Sequence, residues 1–157
     1  YTLSLHRRSS DLSLVYEKGE LIYCILRRYN LNSMHSEVIE QASEAVLFAD
    51  ANEIIKIWNK KAELVFGYTS EEAIGRPLAI IIPDRFLSRH QDGYKGVMKA
   101  GVTAYDDEVL SVPAKRKDGS TISIEFSVSI IREKGEILGV LAIIRDTTGK
   151  WHKTKKT

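Results

Sequence analysis

Residues 121–132 read TISIEFSVSIIR, and the period of this stretch decides the fold. Ile122, Ile124, Phe126, Val128 and Ile130 alternate with Thr121, Ser123, Glu125, Ser127 and Ser129. Successive side chains of a strand point to opposite faces, so this is the pattern of a half-buried antiparallel strand. Residues 108–116 (EVLSVPAKR) and 137–145 (ILGVLAIIR) flank it as two further strands. Lys117-Asp118-Gly119-Ser120 and Glu133-Lys134-Gly135-Glu136 are the turns between them, each with a glycine where positive φ is needed. Pro113 has no N–H for a ladder, which predicts an edge strand or a bulge.

Upstream the period changes to 3.6. Residues 80–101 read IIIPDRFLSRHQDGYKGVMKAG. Pro83 is tolerated at the start of a helix, and Gly101 is a natural stop. Between them Phe86, Leu87, His90, Tyr94, Val97 and Met98 recur at spacings of three and four, which places them on one core-facing side of a long helix. Arg85, Arg89, Gln91, Asp92, Lys95 and Lys99 take the other side. A histidine in such a stripe has two roles open to it. It can be a core residue bonded to a carbonyl or water, or it can present a neutral ring nitrogen to a metal or cofactor. Gly93 and Gly96 each cost this helix about 1 kcal/mol relative to alanine, which predicts close approach of another group to its backbone.

Further upstream, residues 44–50 (EAVLFAD) and 54–59 (IIKIWN) form a strand pair joined at Ala51-Asn52-Glu53. Residues 60–66 (KKAELVF) turn helical and end at Gly67, and residues 70–74 form another short helix capped by Thr69 or Ser70. The order is two strands, short helices, one long helix, then three strands. It predicts an α+β domain, a five-stranded antiparallel sheet with helices on one face.

The 157 residues contain 43% apolar and 28% charged side chains, the composition of an ordinary globular domain with a core of its own. Basic and acidic residues, 23 and 21, are interspersed, and the net charge is +2. That argues against a dedicated nucleic-acid surface. The single cysteine, Cys24, excludes an intramolecular disulfide and a cysteine-cluster metal site, in keeping with a reducing cytoplasm. No apolar run reaches the 18 or so residues of a membrane span. The first residue is Tyr1 rather than Met, which suggests a fragment.

Outside the domain core, Leu12, Val15, Tyr16, Leu21, Ile22, Ile25, Leu26 and Tyr29 recur at helical spacing. Residues 1–35 are therefore expected to carry a flanking helix whose apolar face needs a partner, either the domain itself or a second copy of the chain. Residues 36–148 form the domain, opened by a short helix at 36–42. Residues 149–157 (GKWHKTKKT) make a basic C-terminal linker.

The ordered series WNKKAELVFGYTSEEAIGRPLAIIIPDR, RKDGSTISIEFSVSII and GVLAIIRDTT resembles a PAS domain over about residues 36–148. The resemblance implies a sensory fold that cups a small molecule or cofactor under its helices. It also implies signalling through flanking helices, in a homodimer for which the N-terminal helix is suited. Within the family, Ile82-Pro83 followed by Arg89-His90 and Tyr94 is similar to the haem-binding oxygen-sensor kinases, and this implies haem b with His90 as axial metal ligand. Two departures stand out. Tyr94 falls one residue later than in those sensors, and Leu110 occupies the strand position of their distal arginine. Leu110, Ile124 and Ile143 are then expected to line a dry distal side, opposite Phe86, His90, Tyr94 and Met98. Flavin is not expected, because Cys24 lies upstream of the domain and the photosensing Asn-Cys-Arg-Phe string is absent.

No sequence signature of catalysis is present, neither G-x-S-x-G nor H-E-x-x-H nor a phosphate-cradling glycine loop. Ser88 and His90 are two apart and diverge on a helix. His6, His35, His90 and His152 show no ligand spacing, and Asp106-Asp107-Glu108 reads as a solvated acidic loop. A free-standing enzyme is not expected. Three functions remain: a sensor of a small organic ligand, a haem-based gas or redox sensor, and a ligand-free dimerisation module.

Overall fold

A computed structural model describes residues 33–103 and 108–149. Among these, residues 33–40 are helical and lead into strand β1, Ala45–Asp50. Strand β2 is Ile55–Trp58, β3 is Leu110–Lys115, β4 is Thr121–Glu133 and β5 is Glu136–Asp146. They form one antiparallel sheet in the order β2-β1-β5-β4-β3, so the last of these strands in sequence is the central one. Helix α1 is Lys60–Phe66 and α2 is Ser70–Ala73. Helix α3, Leu87–Ala100, is the long helix, preceded by two 3-10 turns at Leu78–Ile81 and Asp84–Phe86. The predicted α+β architecture with its five-stranded antiparallel sheet is the one observed, and Pro113 lies on edge strand β3.

Local chemistry explains the joints. Gly67 ends α1 and Gly101 ends α3, both in the left-handed region, as helix C-caps require. Thr69 and Glu72 make a reciprocal capping box on α2. The turn between β4 and β5 puts Lys134 and Gly135 in succession at positive φ, 50° and 89°. A two-residue hairpin turn of this hand matches the strand twist.

Asn59 is the most heavily bonded side chain, and it is 1% exposed. Its Oδ1 accepts from Ala62 N at 3.0 Å and Val46 N at 2.9 Å. Its Nδ2 donates to Ile39 O at 2.9 Å and Glu44 O at 3.0 Å. One amide thus caps α1, fixes β1 and holds the end of the helical segment before it. Trp58 is a packing residue: it is 3% exposed, lies 5.3 Å from the Phe66 ring, and donates its Nε1–H to Tyr68 O at 3.1 Å.

The core proper is built from Leu47, Ile55, Phe66, Ile122, Ile124 and Ile144 with their neighbours. Helix α3 departs from the expectation here. Only Tyr94 of its apolar stripe is buried, while Leu87, His90, Val97 and Met98 are half-buried. The stripe does face the sheet, but a cavity intervenes.

Candidate ligand-binding cavity

The cavity measures about 480 Å³ and lies between α3, the two 3-10 turns and the inner face of β1, β3, β4 and β5. A volume of this order accommodates a small-molecule ligand. Every sheet residue on its wall is apolar, from Leu47 on β1 through Val112, Ile124 and Phe126 to Ala142 and Ile144. Polar side chains come from the helix and from the segment after it: Arg89, His90, Tyr94 and Thr103.

Two of these tie α3 to the β1–β2 hairpin. The Tyr94 hydroxyl donates to the carbonyls of Ala49 and Asp50, at 2.9 and 2.7 Å, sharing one hydrogen between them. Burial pushes the Tyr94 phenol well above its usual range. One turn earlier, His90 Nδ1 lies 3.2 Å from Glu53 Oε1. Glu53 holds φ at +62° in the hairpin turn, a left-handed position unusual for glutamate. The Asp50 carboxylate braces that turn by accepting from Asn52 N and Ile54 N at 2.9 and 3.1 Å, with Lys56 at 3.3 Å. Burial acts to raise the Asp50 carboxyl, but these amides and Lys56 outweigh it and hold the group below its ordinary value.

With Nδ1 turned to a carboxylate, the second ring nitrogen, Nε2, is left to face elsewhere. A carboxylate on the far nitrogen orients a metal-ligating imidazole and raises its basicity. Among the described residues no group of three or more His, Cys, Asp and Glu side chains converges on one point. A single imidazole suits a metal whose other ligands belong to a macrocycle, and the apolar sheet wall suits the macrocycle's faces. A lone imidazole, His90, beside an apolar wall is chemistry compatible with a haem.

Of the residues expected to surround a ligand, Phe86, His90, Tyr94, Leu110 and Ile124 line the cavity. Two do not, and both expectations are corrected. Ile143 projects from the outer face of the sheet and is 45% exposed, because strand alternation turns Ala142 and Ile144 inward instead. Met98 packs against the core cluster and is not among the residues that line the cavity. A Cβ built at Gly93 or Gly96 would meet nothing within 4 Å, so no described group makes the close approach predicted for them. Sequence reasoning missed Arg89, Thr103 and Glu53. It also missed Phe126 and Val128, although they share the inward face of β4 with Ile124 and that period was legible. Cys24 and Asp106-Asp107 lie outside the described residues.

Residues 33–147 match the family described as the PAS fold, and the chain belongs to it. It is 32% identical over 114 residues to an uncharacterized protein of Azorhizobium caulinodans, covering 72% of this chain and 15% of that one. It is 24% identical over 119 residues to the oxygen sensor protein DosP of Escherichia coli, covering 76% and 15%. The sensor protein FixL of Bradyrhizobium diazoefficiens is 29% identical over 103 residues, covering 63% and 20%. The chain thus spans a fifth or less of the length of these curated relatives. Solved PAS domains share the fold, among them one from Colwellia psychrerythraea at a TM-score of 0.64 and 22% identity, covering 76% of this chain and 98% of that one. This is a sensory domain by family. No described helix is long and apolar enough to cross a membrane.

Proposed function

We propose that this domain is a sensor whose cavity takes a small ligand and relays its presence through the segments flanking the sheet. The observation that carries this reading is the cavity itself, about 480 Å³ of mostly apolar space between α3 and the sheet. A domain serving only as an interaction module would gain stability by filling that space. Asn59 supports this reading, because it bonds the helical segment ending at residue 40 to β1 and α1.

A second reading makes the ligand haem and the signal a gas or redox change at its iron. The His90–Glu53 pair favours it, together with the likeness to an oxygen sensor protein. In this reading His90 supplies the axial nitrogen, Glu53 orients it, and Leu110 and Ile124 keep the opposite side dry. Haem, when bound, would contribute reversible gas binding.

An absorption spectrum of the chain expressed with haem supply tests the choice. A Soret band that is lost or shifted in His90→Ala is expected if the cofactor is haem. Featureless spectra in both proteins, with a co-purified organic molecule seen by native mass spectrometry, would assign the cavity to an organic ligand. Featureless spectra and no bound molecule would overturn the sensor reading in favour of the interaction module.

A further inference from the structure

The polar inventory of the cavity is short, and most of it is committed. Tyr94 is spent on the Ala49 and Asp50 carbonyls, Thr103 has a partner of its own, and His90 Nδ1 is turned to Glu53. Arg89 stands apart. It lines the cavity, its residue is exposed, and the described residues offer its guanidinium no ion-pair partner. The other cations of this region are occupied: Arg85 lies over the Phe86 ring at 4.6 Å, and Lys115 holds Asp84 at 2.8 Å.

We propose that Arg89, at the edge of this otherwise apolar cavity, is the subsite for a carboxylate carried on an apolar body. This deepens the ligand-binding reading and rests on it. The planar fork of a guanidinium matches the two oxygens of a carboxylate, and one cation balances one charge. A dianionic phosphate is disfavoured, because the described residues lining the cavity supply no second Arg or Lys beside Arg89, while the Glu53 carboxylate lies close to the neighbouring His90. The apolar sheet wall then receives the rest of the molecule. An organic acid and a haem propionate present the same chemistry, and the test separates them.

Decanoate and 1-decanol share an apolar body and differ in charge, as do haem and its dimethyl ester. All four would be titrated into the full chain and into Arg89→Gln and Arg89→Lys, with affinity read by calorimetry or native mass spectrometry. Arg89 is exposed, so both variants are expected to fold. In the wild type the acid of at least one pair binds about tenfold or more tighter than its neutral partner, as a charge-assisted bond implies. Arg89→Gln removes that margin without changing the neutral partner's affinity, and Arg89→Lys restores part of it. A margin confined to decanoate identifies an organic acid, and one confined to haem identifies a propionate. Equal affinities within both pairs, or a margin that survives Arg89→Gln, would overturn the Arg89 subsite and leave the cavity reading standing. Failure of all four probes to bind would overturn the Arg89 subsite, and the absence of any co-purified molecule as well would overturn the cavity reading with it.

Discussion

Asn59 is buried with two donor and two acceptor bonds satisfied. Truncating it removes a helix cap worth about 1 kcal/mol and leaves part-buried backbone groups of Val46, Ile39 and Glu44 without that partner, at up to about 1 kcal/mol each. Asn59→Ala is therefore expected to lower stability by about 3 kcal/mol in urea denaturation, and a loss below about 1 kcal/mol would refute this account. Tyr94 makes a prediction in pH. Burial, aided by the charges of Glu53 and Asp50, raises its phenol above the ordinary 10.0. A group raised in the folded state contributes stability that is intact below its unfolded pKa and is lost as pH rises. The wild type should lose stability from about pH 10 upward, and Tyr94→Phe should flatten that alkaline limb while costing about 1 kcal/mol at neutral pH. Parallel alkaline limbs in the two proteins would show that Tyr94 is not the group responsible.

At the scale of elements, β1 and β5 approach so closely that a side chain has no room. A Cβ on Gly139 would sit 2.0 Å from Ala49 O, and its φ of +156° already lies outside ordinary strand geometry. Gly139→Ala should destabilise by about 3 kcal/mol, at the upper end for overpacking, and unchanged thermal unfolding would show that the strands can part at little cost. How far these elements were legible depended on how cleanly each periodicity was written. β4 alternates sharply, and its inward face was readable throughout. β5 is apolar on both faces, so its alternation carried no sign and Ile143 was assigned to the wrong side. Helix α3 showed its stripe plainly, yet no pattern within a helix reports whether the stripe meets side chains or space. Glu53 could not be found at all. It matters through its contact with His90, an element away, and a turn residue at positive φ has no periodic signature.

For the whole molecule, the proposed relay requires that something outside the sheet respond. Residues 1–35, with their helical apolar spacing, are the segment proposed to bring two chains together. Removing them should reduce the molar mass measured by light scattering from that of a dimer to that of a monomer. An unchanged mass would place dimerisation elsewhere. The sheet order has a separate consequence, for the way the chain comes off a ribosome. β5 is made after the four strands it joins, yet it occupies the middle of the sheet, pairing Ala45 with Ile144 on one side and Phe126 with Ile144 on the other. Until it emerges, the β1–β2 hairpin and the β3–β4 hairpin have no common neighbour and each shows an open edge. The domain cannot complete its sheet until that strand has emerged. Its nascent form must wait as two halves, with the cavity between them not yet walled, for the final strand to join them.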